Sequence, residues 1–189
     1  FFNDEDDSKA VADLTPMRFK EMCIPNVELS DFVVVANVPC KDYDAKYRVK
    51  FINNVQGGAP CDLINMPIEE LQAAVQKSVV KGAPVWFAGD VSKGFHPYKA
   101  AFNNKLMDDR LLFGDYPITS KAEKFRYHNL EGNHAMCFTG VNCDRYGKIE
   151  TLQVENSWGY WDNETPGLDG FLCMSKEWID NNVVQVVIH

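Results

Sequence analysis

The sequence lacks several features that would have assigned it quickly. No apolar run approaches the roughly 20 residues that a helix needs to cross a bilayer. No glycine-rich phosphate loop is present and strands do not alternate with helices, which argues against a nucleotide-binding fold. The six cysteines (Cys23, Cys40, Cys61, Cys137, Cys143, Cys173) show no CxxC spacing, so ordinary reduced thiols are expected rather than a disulfide framework. The four histidines (His96, His128, His134, His189) have no metal-ligand spacing, so no metal and no cofactor are expected. Positive charge is also short. With 19 basic against 27 acidic residues the net charge is −8, which argues against a nucleic-acid partner and disfavours an anionic membrane. The start, Phe1 to Asp7, is acidic and carries neither an initiator methionine nor a secretory leader, so a processed, trimmed or partial chain is expected. Asn163-Glu-Thr165 matches a glycosylation acceptor, but Pro166 follows and such triplets are common by chance.

What is present is globular. At 189 residues, 46% hydrophobic and 12% aromatic, the chain can bury one good core, or one domain with a long extension. Residues 1–12 read as a solvated segment. Thr15-Pro16 predicts a short helix capped by Thr15 and ended by Pro25. Asp31–Asn37 is a compact β-branched run and reads as a strand. Tyr43 to Pro60, with Gly57-Gly58, reads as a loop-rich connection. Pro67–Lys81 is the clearest helix: Glu69 and Glu70 lie in its first turn, Lys77 and Lys81 near its end, and Ile68, Leu71, Val75 and Val79 form one apolar stripe closed by Gly82. Pro84–Asp90 predicts an aromatic strand. Leu106–Phe113 and Phe125–Leu130 suggest short helices or irregular structure. Gly170–Met174 and Val183–Ile188 read as strands, with Ser175 capping a turn of helix between them. One clear helix followed by a run of strands predicts an α+β fold built on an antiparallel sheet or open barrel with a few packed helices.

The chain is organised around two segments, His134–Val141 and Leu152–Gly159, read as strands joined by the hairpin-like loop Asn142–Lys148. Alternation puts His134 on one face with Met136 and Phe138, and Asn156 with Leu152, Val154 and Trp158. Antiparallel pairing of those faces would bring His134 and Asn156 together. A neighbouring imidazolium lowers a thiol's pKa, an asparagine oxygen can fix the imidazole's tautomer, and a tryptophan can shield that bond from water. A lone histidine at a strand start is usually structural. The ordered set of His134, then Asn156-Ser-Trp-Gly159, then Gly170-Phe-Leu-Cys-Met174 is far more specific.

These segments, with Pro84–Val91 and Gly170–Trp178, resemble the C-terminal half of a papain-superfamily cysteine peptidase, and more narrowly the bleomycin hydrolase and aminopeptidase C family. The likeness runs from about Leu14 onward. It implies that His134 is the catalytic histidine, Asn156 its orienting partner and Trp158 the shielding aromatic. It also implies a papain-like β-rich half at residues 67–189, with residues 1–66 as a leading segment and connection to a helical half. Members of the family are cytosolic thiol peptidases that remove N-terminal residues of peptide substrates and assemble as hexamers. Their nucleophile lies in a Gly-x-Cys-Trp stretch opening a helix, and no cysteine here precedes a tryptophan. The expectation is therefore a His/Asn half-site without a nucleophile, inactive alone and completed by a helical half. Cys61 is the least unsuitable alternative nucleophile. The rival readings are a non-catalytic binding or assembly module of the same fold and a disulfide-stabilised secreted domain.

Overall fold

The computed structural model describes residues 14–52, 55–106, 110–115, 117–158 and 170–189. The chain forms two compact units, Phe1–Asp31 and Phe32–His189. In the first, helix α1 (Pro16–Cys23) starts as its sequence dictates: Pro16 occupies the first turn and the Thr15 hydroxyl accepts from the Arg18 amide at 3.3 Å. Lys20 pairs with Glu28 at 3.1 Å.

The second unit is built on a sheet of ten strands: β1 (Val33–Ala36), β2 (Ala45–Val49), β3 (Cys61–Asn65), β4 (Val85–Gly89), β5 (Phe95–His96), β6 (Ala101–Phe102), β7 (His134–Cys143), β8 (Ile149–Glu155), β9 (Phe171–Ser175) and β10 (Val183–Ile188). The order across it is β2-β3-β1-β10-β4-β7-β8-β9-β6-β5. The β1–β3 and β6–β9 pairings are parallel and the others antiparallel. Its helices are α2 (Ile68–Val80), α3 (Arg110–Phe113), α4 (Lys121–Arg126) and α5 (Lys176–Asn182). This is the α+β architecture the sequence predicts. Strands β1–β3, drawn from the stretch before residue 66, belong to the same sheet as the organising hairpin.

The elements follow from local chemistry. Helix α2 buries Leu71, Val75 and Val79, the stripe anticipated from their spacing. Beyond it Gly82 takes φ +80°, a conformation that costs glycine little. In α5 the Ser175 hydroxyl accepts from the Trp178 amide at 3.2 Å. Core residues of β4, β7, β8 and β9 alternate as a half-buried sheet requires: Val85 and Phe87, Met136 and Phe138, Leu152 and Val154, Leu172 and Met174. Phe87 and Phe138 stack at 3.9 Å between centroids. Trp178 is fully buried, packs on Phe102 at 4.9 Å and donates from Nε1 to the Lys93 carbonyl at 2.7 Å. An indole buried this way keeps its one polar atom satisfied.

Three departures from the sequence reading have physical causes. The connection Tyr43–Pro60 holds a regular strand, β2, paired antiparallel to β3. Its Lys46 and Arg48 face Asp62 of β3 at 3.0 and 2.7 Å, so cross-strand charge replaces the apolar signal. Helix α4 begins earlier than Phe125. Ser120 and Glu123 form a reciprocal capping box ahead of it, and His128, at φ +54°, lies where a continued helix would have run. Strands β5 and β6 have only two residues each and carry no readable period. The triplet at 163–165 lies outside the described residues, as do residues 1–12.

A buried polar network ties β1, β3, α4 and β10 together. Asn37 donates from Nδ2 to the Met66 carbonyl at 2.8 Å, and Asn65 accepts at Oδ1 from the Val38 amide at 2.8 Å. Lys121 reaches in from α4 to donate to Asn37 Oδ1 at 2.8 Å and the Val183 carbonyl at 2.6 Å. Burial pushes the Lys121 ammonium down to about 7; the Asp180 charge opposes that shift and Lys124 adds to it.

Candidate active site

Strand β7 opens with His134, whose backbone pairs with Gly89 at the end of β4. On its other side β7 pairs with β8 in the register Cys137↔Glu155 and Phe138↔Val154. Strand β8 ends at Glu155, so Asn156 lies just past it rather than within it. The Asn156 amide donates to the Gly170 carbonyl at 3.0 Å, continuing the β8–β9 ladder by one bond. That bond fixes the backbone from which the Asn156 side chain reaches His134.

His134 Nε2 and Asn156 Oδ1 are 3.0 Å apart. A carboxamide oxygen only accepts, so Nε2 carries the hydrogen and donates. The neutral ring is thereby held with Nδ1 unprotonated, as an acceptor or base. The indole of Trp158 stacks on the imidazole, 5.0 Å between centroids and 28° between planes. Phe95 of β5 meets Trp158 edge-on at 5.7 Å. The three residues singled out in the sequence are therefore together, and Phe95 extends the aromatic wall. It was missed because a two-residue strand has no pattern to find it by. Asn156 Nδ2 is buried and has no hydrogen-bond partner among the described residues. Among those residues its side-chain carboxamide is held by the oxygen alone.

The loop between β4 and β5 supports the histidine from behind. Asn133, which precedes it, accepts at Oδ1 from the Val91 amide at 3.0 Å and donates from Nδ2 to Asp90 at 3.0 Å. Gly89 is required to be small here: a Cβ would lie 3.0 Å from the Asn182 carbonyl oxygen.

All six cysteines are free thiols, and none is hydrogen-bonded to His134 among the described residues. Cys137 lies on the same strand but on the opposite face. Burial, followed by the charge of Glu155, pushes its thiol pKa up, away from the thiolate a nucleophile needs. Cys143 lies at the far end of β7 and accepts from Gln76 Nε2 at 3.2 Å. Cys61 opens β3, four ladder spacings from β7, about 19 Å along the sheet. Cys173 in β9 pairs with Gln153, whose β7 partner is Gly140, six residues or about 20 Å along from His134. Among the described residues no group of three or more His, Cys, Asp or Glu side chains could hold a metal ion, and no helix is long and apolar enough to cross a membrane.

The chain is 35% identical to aminopeptidase E of Lactobacillus helveticus over 179 residues, which is 94% of this chain and 39% of the relative. It is 32% identical to bleomycin hydrolase of Homo sapiens over 194 residues, which is 99% of this chain and 42% of the relative. The crystal structure of PepW from Lactobacillus rhamnosis HN001 superposes with a TM-score of 0.84 at 32% identity, covering 93% of this chain and 38% of that one. The chain thus spans about two fifths of the length of the relatives it matches. The model of the Peptidase C1-like family matches residues 1–189, and this chain, papain-like in fold, belongs to that family.

Proposed function

We propose that this chain supplies the histidine and asparagine of a cysteine-peptidase site, and that the protein in which it works is an aminopeptidase of the bleomycin hydrolase type. The observation that carries this reading is the bond from His134 Nε2 to Asn156 Oδ1. It presents Nδ1 as a base, with the Trp158 ring over one face of the imidazole. The nucleophile comes from a helical half outside this sequence, consistent with the two-fifths coverage of the relatives and with the placement of the six thiols. The isolated chain is inactive.

In the assembled site the steps follow from the ring's two nitrogens. His134 Nδ1 takes the thiol proton, and the imidazolium so formed stabilises the thiolate. The sulfur attacks the carbonyl carbon of the first peptide bond. His134 gives its proton to the leaving amine, a thioester remains, and His134 then draws a proton from water as the thioester is hydrolysed. Asn156 holds Nε2–H throughout, so the ring does not turn as its charge changes. Peptides attacked at their N-termini are the substrates, the protein works in the cytosol, and copies assemble into a hexamer.

The test uses the gene product that carries this sequence, assayed on aminoacyl fluorogenic amides. His134→Ala should lower kcat by about 10²- to 10⁴-fold, the range for a lost general acid–base. Asn156→Ala should cost about 10- to 100-fold, the value of one well-placed hydrogen bond to a charged ring. Full activity in His134→Ala would refute the reading.

A further inference from the structure

Asp90 is a buried carboxylate that the mechanism does not use. It is 3% exposed and lies at the end of β4, one residue past Gly89, the backbone partner of His134. Its own amide donates to the Asn182 carbonyl at 3.0 Å, which fixes the backbone. Oδ1 accepts from the Ser92 amide at 3.1 Å, from the Ser92 hydroxyl and from Asn133 Nδ2 at 3.0 Å. Lys93 Nζ stands 3.4 Å from Oδ2 and also donates to Asn129 Oδ1 at 3.0 Å. Burial pushes the carboxyl up, and the Ser92, Lys93 and Asn133 contacts together bring it below its ordinary value. A buried ionised carboxylate is costly to keep, and a turn could be closed by Ser92 with a neutral side chain.

We infer that Asp90 is a positioning residue for His134, acting through Asn133. The Asn133 side chain is held at both ends, its nitrogen by Asp90 and its oxygen by the Val91 amide. The bond to a charged acceptor is the stronger kind. It locks the residue immediately before the histidine against the strand that pairs with it. The first residue of a strand is otherwise free to fray, and fraying would carry the imidazole away from Asn156. The inference rests on the Cys-His-Asn reading above.

The test is made on the 189-residue chain by nitrogen-15 NMR of the imidazoles, near pH 8.5, where an ordinary histidine is neutral. Loss of its signals in His134→Gln assigns the ring. The wild type should show His134 held as the Nε2–H tautomer, and Asn156→Ala should shift its tautomer ratio toward that of exposed His128 and His189. Asp90→Asn should lower the ratio of Nε2–H to Nδ1–H by about three- to tenfold, the equivalent of one hydrogen bond. The double variant D90N/N133D keeps the 90–133 bond with donor and acceptor exchanged and leaves the Val91 amide donating to residue 133, so it should restore the wild-type ratio. If Asp90→Asn does not fold, Asn133→Ala removes the link while leaving the carboxylate its Ser92 and Lys93 partners, and it should give the same fall. An unchanged ratio in the folded single variant, or no recovery in the double variant, would overturn the inference alone. A wild-type His134 without the Nε2–H preference would overturn the active-site reading as well.

Discussion

Lys121→Met isolates the cost of a buried charge. Lys121 is 8% exposed and donates to Asn37 Oδ1 and the Val183 carbonyl, with no carboxylate in direct contact among the described residues. Burial lowers its pKa from 10.5 to about 7 in the folded chain. Below pH 7 both folded and unfolded states are protonated, and the folded state bears the whole penalty. Between pH 7 and 10.5 the unfolded state binds more protons, so stability from this group rises with pH. Above 10.5 both states are neutral and the penalty is gone. From pH 7 to 9.5 the gain is about 3 kcal/mol for a shift of this size. Methionine fills a similar volume without a titrating group. It takes this donor away from Asn37 Oδ1 and the Val183 carbonyl, at up to about 1–3 kcal/mol each and independent of pH. Urea unfolding of both proteins, followed by tryptophan fluorescence from pH 7 to 9.5, measures the difference. The stability of wild type minus variant should climb by about 3 kcal/mol across that range. A difference that stays flat would refute the reasoning, since the ammonium would then be no worse off inside than in water.

Other perturbations test the frame around the site. Trp178→Ala should cost about 3–5 kcal/mol in urea unfolding, because it empties a fully buried position and removes the bond to the Lys93 carbonyl. Gly94→Ala should lower stability by more than about 1 kcal/mol, since φ is +65° and a Cβ would meet both the Asn103 carbonyl oxygen and the Trp178 ring at 3.0 Å. Asp62→Asn should leave the unfolding midpoint unchanged within error in moderate salt. Its carboxyl is held well below the ordinary range by the hydrogen bond from Arg48, then that from Lys46, but the two cations are largely exposed and solvent screens the pair.

Sequence and structure agree where one physical signal dominates. Helix α2 and strands β4, β7, β9 and β10 were legible because an apolar period or a β-branched run marks each of them. The His134–Asn156 pair was legible because alternation along β7 and the hairpin to β8 bring those faces together. Strand β2 was not, since its Lys46 and Arg48 pair with Asp62 of β3, and charge in a sequence reads as loop. Helix α4 was displaced because its start is set by Ser120 and Glu123, and its one buried residue is a lysine. Phe95, Asp90 and Asn133 had no visible signal. Each matters through contacts across more than 40 residues of chain, such as Asn133 to Asp90, and such contacts leave no local pattern.

The central claim is that the chain presents a histidine–asparagine pair that awaits a thiol from elsewhere. The most direct test treats the isolated 189-residue chain with an epoxysuccinyl cysteine-protease inhibitor and measures its intact mass. The account predicts no stoichiometric adduct. A single fast adduct, mapped to one of the six cysteines, would contradict it by showing that the chain carries its own nucleophile.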